Sequence, residues 1–329
     1  MIVGLLLSNF ITNAQQVVDI DHLSMTVSDL EQAIDFFEEN LDATLDQKKI
    51  IREAALMDLM GIHVADLTME VAYLHIGEEE IRLLHFNKEG RKIPLDSRSN
   101  DLWFQHMAVT VSDMDTAYAN VFENKVKHVS TAPQTLPDYI PEAAGIAAFY
   151  FRDTDEHNIE LIYFPSGKGD PKWQNASAGD YFLGIDHSAI AISDTDQSLA
   201  FYRDLLGLKV VGHSENYGTE QEHLNQVFGA RLAITGMRAA QGIGVEFLEY
   251  IAPPGGRLYP RDSSPLDHWH WQIAMEVDDL NKMKKKIDQT DHKLISNKII
   301  SLPELGYDKA ILLRDPDHHA ILLYETNNK

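Results

Sequence analysis

Apolar and polar residues alternate in a ten-residue pattern that occurs four times along the chain. In the first copy, residues 20–29, the apolar Leu23 and Met25 alternate with the polar His22 and Ser24. A period of two is typical of a strand that buries one face. The other three copies cover residues 104–113, 185–194 and 270–279. Four copies predict four structural modules, each opening with a strand.

A helical pattern follows the opening strand of each module. The spacing from Ser28 to Glu31, repeated by Ser112 and Asp115, is that of a capping box at a helix start. The next apolar residues recur at the spacing of one helix face, as in Leu30, Ala33, Ile34 and Phe37. Each module is therefore predicted to open with a strand, a cap and a helix.

The ends of the modules also repeat, as short apolar strands. These closing strands are predicted at residues 80–86, 158–164, 244–250 and 320–325. In the second and fourth modules residues 152–157 and 314–319 precede them, with the Asp and Pro content of a tight turn between strands. The predicted module is β-α-β-β-β, and the fold class is α+β.

A longer repeat indicates that the chain is a duplicated pair of modules. Residues 90–103 match residues 256–269, from a shared Gly-Arg to a shared Trp. The segment 166–182 is polar, rich in turn residues and without periodicity, which favours a linker. The predicted halves are residues 17–165, with modules at about 18–88 and 102–165, and residues 183–329, with modules at about 183–252 and 268–326.

Residues 1–16 precede the first module and have two interpretations. The apolar Ile2–Leu7 and the small Thr12-Asn13-Ala14 favour a signal peptide, whereas the missing basic start favours an N-terminal arm. No run reaches the ~18 apolar residues of a spanning helix. We expect a soluble protein, either cytoplasmic or exported.

Charge and cysteine content restrict the partners and the chemistry. The chain has 28 Lys and Arg against 51 Asp and Glu, a net charge of -23. Such a surface repels phosphate backbones and anionic bilayers, so neither nucleic acid nor membrane is an expected partner. There is no cysteine, which leaves His, Asp, Glu and Gln as metal ligands. A monomer or a homodimer that binds a small-molecule substrate is expected.

These motifs resemble the vicinal oxygen chelate superfamily, the group of glyoxalase I, methylmalonyl-CoA epimerase, fosfomycin-resistance proteins and extradiol dioxygenases. The resemblance rests on the strand-borne His before a capped helix and on the turn Asp153-Thr154-Asp155 that leads into Ile159-Glu160-Leu161. It covers about residues 18–326. It implies two curved mixed β-sheets with helices outside, each sheet built from two modules.

The resemblance also implies that the first and last strands of each module offer one metal ligand apiece. Carried over position by position, the pairs are His22 with Arg82, His106 with Glu160, His187 with Glu246, and Gln272 with Leu322. Imidazole and carboxylate groups suit one divalent zinc, nickel, manganese or iron ion. The predicted metal ligands are His22, His106, Glu160, His187 and Glu246.

Two ways of pairing the modules give different sites. Sequential pairing would combine His22, His106 and Glu160, the composition of a two-His, one-carboxylate iron site, with Arg82 in the fourth place. Crossed pairing would join the second module to the third and the first to the fourth. It would gather His106, Glu160, His187 and Glu246 into one site, and we favour it for that reason.

The preferred function is that of a metal-dependent, glyoxalase-like lyase or isomerase acting on a small oxygen-bearing substrate. Glu160 and Glu246 are the candidate catalytic bases, and Arg82 and Gln272 are the candidate substrate-binding residues. One alternative is an extradiol-type ring-cleaving dioxygenase, which would depend on iron and oxygen. The other is a non-catalytic protein that binds a small molecule or confers resistance, favoured if no metal is retained.

Overall fold

The computed structural model describes residues 16–327. The predicted signal peptide or N-terminal arm, residues 1–16, therefore lies outside the described residues except for Gln16. None of the helices within residues 16–327 is long and apolar enough to cross a membrane.

The four predicted modules are present, each with an opening strand and helix and a closing pair of strands. The first contains β1 Val17–Thr26, α1 Leu30–Leu41, β2 Thr44–Ile51, α2 Ala54–Met60, β3 Met69–Ile76 and β4 Glu79–Phe86. The second contains β5 Gln105–Val111, α3 Met114–Glu123, β6 Lys127–His128, β7 Gln134–Thr135, β8 Ala147–Arg152 and β9 Asn158–Tyr163. The third contains β10 Phe182–Ile192, α4 Thr195–Leu199 with a π-helical continuation Ala200–Leu205, β11 Lys209–Tyr217, α5 Thr219–Asn225, β12 Arg231–Arg238, β13 Gln241–Gly242 and β14 Gly244–Ala252. The fourth contains β15 Trp271–Val277, α6 Leu280–Ile287, β16 Ile300–Leu302, β17 Tyr307–Arg314 and β18 Ala320–Glu325.

The modules pair in the crossed arrangement. One mixed sheet joins the first and fourth modules in the order β16-β17-β18-β15-β1-β4-β3-β2, and β13 of the third module adds to its β1. The other joins the third and second modules in the order β11-β12-β14-β10-β5-β9-β8-β6, and β7 adds to its β8. At the two centres β1 runs antiparallel to β15 and β5 runs antiparallel to β10. The α+β prediction is confirmed, and each sheet contains one module from each half of the sequence.

The helix starts differ from the prediction by one residue. The N-caps are Asp29 and Asp113, whose carboxylates accept from the backbone N–H of Gln32 and Thr116 at 3.0 and 2.8 Å. An Asp side chain is as good a cap as Ser, so the predicted caps at Ser28 and Ser112 are wrong by one position. The Ser28 backbone N–H instead donates to Asp155 of the second module at 2.8 Å.

The two faces of each sheet have different packing. Leu23 and Met25, predicted to face the core, are fully buried in a cluster that includes residues of both sheets and of helices α1, α3 and α6. The opposite face of the first sheet is covered by α2, whose Leu56 and Met60 pack with Leu322 of β18. The sequence pattern did not predict α2 or α5, and both lie on the face that carries the strand-borne His residues.

The duplicated loops hold the two halves of the chain together through a reciprocal pair of ionic contacts. The Arg91 guanidinium donates to both carboxylate oxygens of Asp267 at 3.1 and 2.8 Å. Arg257 donates to Asp101 in the same way at 3.1 and 2.7 Å. Gly90 is required by a close approach, since a Cβ there would overlap the backbone oxygen of Leu266.

Removing a buried carboxylate of this contact should destabilise the fold. Asp267 is nearly buried and also accepts from the backbone N–H of Arg91 and Ser264. Asp267→Ala leaves these donors without a partner, so we expect the free energy of unfolding to fall by about 1–3 kcal/mol. Asp262→Ala is the matched control, because this 81% exposed side chain contacts the same Arg91. Urea unfolding of both variants checks this, and equal losses would contradict it.

His157 links the turn of the second module to the loop before the fourth. Its Nδ1 lies 2.7 Å from Asp153 Oδ2 and its Nε2 lies 2.7 Å from the backbone oxygen of His268. Both ring nitrogens face acceptors, which suits the protonated ring. Burial opposes this charge, but the Asp153 and Asp155 carboxylates outweigh it and raise the pKa of His157.

Stability should therefore depend on pH through His157. A raised folded-state pKa contributes stability that is fully present below the unfolded value near 6.5 and is lost as pH rises through the folded-state value. We expect the difference in unfolding free energy between wild type and His157→Gln to shrink as pH rises from 6. Denaturant titrations at a series of pH values measure it, with the exposed His63→Gln as the control. A difference that grows with pH would contradict this prediction.

Candidate metal centre

The strand register gathers two His and two Glu around a pair of alanines at the centre of the second sheet. Paired residues of neighbouring strands point to the same face of a sheet. The pairing partners of Ala108 are His187 and Glu160, and those of Ala189 are His106 and Glu246. Because the alanine methyl groups are small, the four longer side chains can converge above them.

The ligand atoms of this cluster lie close together. Glu160 Oε2 is 3.0 Å from His106 Nε2 and 3.7 Å from His187 Nε2. One ligand atom from each of these three residues lies within 4.8 Å of the others. Glu246 Oε1 is 3.8 Å from His187 Nε2, and its side chain is 28% exposed against 6% for Glu160. Glu160 is thus central, and Glu246 lies toward the open side.

The donor set fits a divalent metal ion. His106 Nε2 and His187 Nε2 are buried, and neither makes a hydrogen bond of regular geometry within the described residues, although Glu160 Oε2 lies 3.0 Å from His106 Nε2. Orphaned buried polar atoms are uncommon in proteins. Two ligands about 2.1 Å from one ion lie about 3.0 Å apart at a right angle and about 3.4 Å apart at a tetrahedral angle. The three distances between a Glu oxygen and a His nitrogen, 3.0–3.8 Å, are close to this range.

Asp186, which precedes His187 in the chain, holds its ring. Asp186 Oδ2 lies 2.9 Å from His187 Nδ1, which leaves Nε2 facing the cluster. The other carboxylate oxygen accepts from the Trp173 indole at 2.8 Å and from Arg238 at 2.7 Å. A carboxylate behind a ligating His is a common support in metal sites. Trp173 comes from the predicted linker, so that segment contributes to the support of the site.

Burial and the neighbouring charges shift the pKa values of the residues in this cluster. Burial raises the pKa of Glu246 to about 7, and the neighbouring Glu160 adds to this effect. Burial also lowers the pKa of His106. For His187 burial acts in the same direction, but Glu246, Asp186 and Glu160 outweigh it and raise its pKa to about 9. The cluster therefore favours an added positive charge.

A cavity of about 440 Å³ opens onto this cluster. Glu160 and Glu246 line it, together with Tyr150 of β8. Burial and the Glu160 carboxylate raise the pKa of Tyr150 well above 10, so its hydroxyl stays neutral. The volume lies within the range of small-molecule sites in proteins.

The first sheet carries the equivalent positions with different residues. In the same register Ser24 lies between Arg82 and Gln272, and Ala274 lies between His22 and Leu322. The four positions are those that the resemblance implied for the first and fourth modules. The sheet centres are therefore related, but only the second contains four groups able to ligate.

Side chains fill the centre of the first sheet. The Arg82 guanidinium donates to Glu80 and to the Tyr307 hydroxyl, each at 2.6 Å. His22 contacts Asp21 at 2.6 Å and the Tyr307 hydroxyl at 3.2 Å. The cavity there measures about 10 Å³, too small for a substrate.

The structure thus brings together four of the sequence-predicted site residues, His106, Glu160, His187 and Glu246, whereas His22, Arg82 and Gln272 lie in the other sheet. Their predicted roles remain predictions. Sequence analysis missed Asp186, although the Asp-His pair in the first and third repeats was a signal for it. It also missed Tyr150, Asn216 and Gln221, which line the cavity and have no motif that distinguishes them.

A curated relative of named activity is similar to about half of this chain. It is a 2-epi-5-epi-valiolone epimerase from Actinomyces sp, 28% identical over 152 residues, which make up 46% of this chain and 81% of that protein.

Solved structures show the same fold over almost the whole chain. Glyoxalase I from Zea mays matches with a TM-score of 0.60 and 17% identity, covering 94% of this chain and 92% of its own. A mutant of the same maize enzyme matches with a TM-score of 0.62 and 17% identity, over 94% of this chain and 92% of its own. The family model for the Glyoxalase/Bleomycin resistance protein/Dioxygenase superfamily matches residues 19–161 and 184–323. The chain belongs to this superfamily.

Proposed function

We propose that the protein is a divalent-metal-dependent isomerase or epimerase that moves a proton at a carbon next to a carbonyl group of a small substrate. The observation that carries this proposal is the convergence of two His and two Glu beside a cavity that both Glu residues line, with the more exposed carboxylate being that of Glu246. His106, Glu160 and His187 would hold the metal, with Glu246 beside them. A bound divalent ion supplies Lewis-acid polarisation of a substrate carbonyl oxygen.

Glu246 is the base in this proposal. Its side chain lines the cavity and is more exposed than Glu160, which lies between the two His rings. Its carboxylate takes a proton from the substrate carbon and returns a proton to that carbon or to its neighbour. The neutral Tyr150 hydroxyl donates a hydrogen bond to a substrate oxygen. The name of the Actinomyces relative, an epimerase, supports proton transfer at carbon as the reaction class.

Hydrogen exchange tests this reaction class without knowledge of the product. Metal-loaded protein is incubated in D₂O with a panel of small α-hydroxy ketones, and loss of the C–H signal next to the carbonyl is followed by NMR. We expect exchange that stops when a chelator strips the metal and returns when the metal is restored. Exchange that is absent for every compound, or unchanged without metal, would overturn the proposal.

A ring-cleaving dioxygenase is a second candidate, because His106, Glu160 and His187 form the two-His, one-carboxylate set of non-haem iron enzymes. The two-His, one-carboxylate set leaves Glu246 without a role. Oxygen consumption by iron-loaded protein with catechols would favour this candidate.

A further inference from the structure

Neither a Lys nor an Arg side chain among the described residues faces a substrate in the cavity. The one His among the described lining residues, His213, is exposed, and its Nδ1 lies 3.0 Å from the Thr235 hydroxyl. Three lining residues are acidic, namely Glu142, Glu160 and Glu246. A divalent ion would balance Glu160 and Glu246, and no Lys or Arg among the described lining residues would balance a further anionic group. A carboxylate or phosphate buried here without a cationic partner would carry a large desolvation cost.

Two buried carboxamides lie in the wall of the same cavity. Asn216 of β11 is 4% exposed and Gln221 of α5 is 2% exposed, and both line the cavity. Asn216 Oδ1 and Gln221 Oε1 have no hydrogen-bond partner within the described residues. A carboxamide carries two N–H donors and an acceptor oxygen, so it can either donate a hydrogen bond to a hydroxyl group or accept one from it. Ser214 adds a hydroxyl to this wall.

Another part of the cavity wall is apolar. Leu136, Ala143 and Ile146 line it, and they belong to a small apolar cluster formed within residues 136–146. A ligand that presents hydroxyl groups to the carboxamides and C–H groups to the apolar part of the wall satisfies both. Ring-shaped polyhydroxy compounds have this division of surface.

We infer that the substrate is an uncharged polyhydroxy ketone whose hydroxyl groups bind Asn216 and Gln221. This inference rests on the proposed function for the ketone group, which would face the metal and Glu246. The specificity for hydroxyl groups rests on the two carboxamides and on the absence of Lys and Arg among the described lining residues. A substrate that carries a phosphate or a carboxylate away from the ketone is excluded.

Matched ligand pairs test the charge preference. Metal-loaded protein is titrated calorimetrically with the neutral cyclic ketone 2-inosose and with D-fructose, and with D-fructose 6-phosphate and 2-ketogluconate as charged counterparts. We expect the neutral compounds as a class to bind at least about tenfold more tightly than the charged ones. Tighter binding of the charged compounds, or no binding of either neutral compound, would overturn the inference.

Near-isosteric variants test the two carboxamides. Asn216→Leu and Gln221→Leu keep the side-chain volume but leave a bound hydroxyl unpaired, so the affinity for the tighter neutral ketone should fall about tenfold or more. The melting temperature should stay the same or rise, because an unpaired buried polar group is removed. Gln197→Leu, on an exposed turn of α4 away from the cavity, is the control. Wild-type affinity in both cavity variants would overturn the inference.

The outcomes separate this inference from the proposed reaction. Binding of neutral ketones without C–H exchange would support the substrate class and reject the isomerase. Metal-dependent exchange restricted to phosphorylated or carboxylated compounds would support the isomerase and reject the substrate class.

Discussion

His187→Ala protein should fail to retain a divalent metal that the wild-type protein holds. His187 Nε2 has no hydrogen-bond partner among the described residues, and Glu160 and Glu246 oxygens lie 3.7 and 3.8 Å from it. Its removal leaves one imidazole in the cluster. Changes to groups that merely support ligands cost about 10–100-fold in metal affinity, so loss of a ligand should cost more. Elemental analysis after reconstitution with zinc, nickel, manganese or ferrous iron measures this.

His22→Ala is the matched control for this prediction. His22 occupies the equivalent strand position in the first sheet and has an Asp partner, as His187 does. Its Nε2 faces the Tyr307 hydroxyl, and Arg82 lies at the neighbouring ligand position. We expect His22→Ala to keep the wild-type metal content, with circular dichroism used to establish that it folds. Metal loss in His22→Ala with retention in His187→Ala would refute the assignment of the centre.

The module architecture could be predicted because it depends on local pattern. Alternation around Leu23 and Met107 specifies which strand face is buried, and the closing strands at residues 158–163 and 320–325 match the prediction closely. The cap error at Ser28 has a local cause, since Asp29 is an equally good cap one residue later. Turn residues and hydrophobic periodicity therefore predict local structure, to within a residue or so, but not which strands pair.

Sheet pairing could not be derived in the same way. All four opening strands have one apolar face, so β5 could pair with β1 or with β10 on pattern alone. The crossed arrangement was favoured because it gathers four ligating residues, which is an argument from chemistry. The structure adds a physical reason, since the reciprocal contacts of Arg91 with Asp267 and of Arg257 with Asp101 join the two duplicated loops.

The sequence predicted only part of the difference between the two sheet centres. Arg82 and Leu322 indicated that one set of positions had lost ligands. Tyr307 of β17 and helix α2 fill the space there, whereas Asn216 of β11 and Gln221 of α5 line a cavity above the second sheet. None of these residues lies in the repeated sequence motifs. The residues that line the cavity are therefore among the least predictable parts of the chain.

Glu246→Gln should separate metal binding from turnover. The substitution keeps the shape of the side chain and an oxygen near His187 Nε2, and it leaves His106, Glu160 and His187 unchanged. A glutamine cannot accept a proton from carbon, so C–H exchange should fall by about 10²–10⁴-fold, the usual contribution of a general base. NMR exchange rates in D₂O, read beside the metal content of the same samples, measure both effects.

Glu142→Gln removes the same charge from the same cavity and is the control for electrostatic effects. Glu142 lines the cavity but is exposed and lies outside the His–Glu cluster. If Glu246 acts as the base, Glu142→Gln should keep the exchange rate within about threefold, whereas a field effect of the carboxylates would slow both variants alike. Near wild-type exchange in Glu246→Gln, with loss in Glu160→Gln at full metal content, would move the base to Glu160. The strand register places the two carboxylates differently, since Glu160 pairs with Ala108 and Glu246 with Ala189, so each substitution reports on one side of the centre.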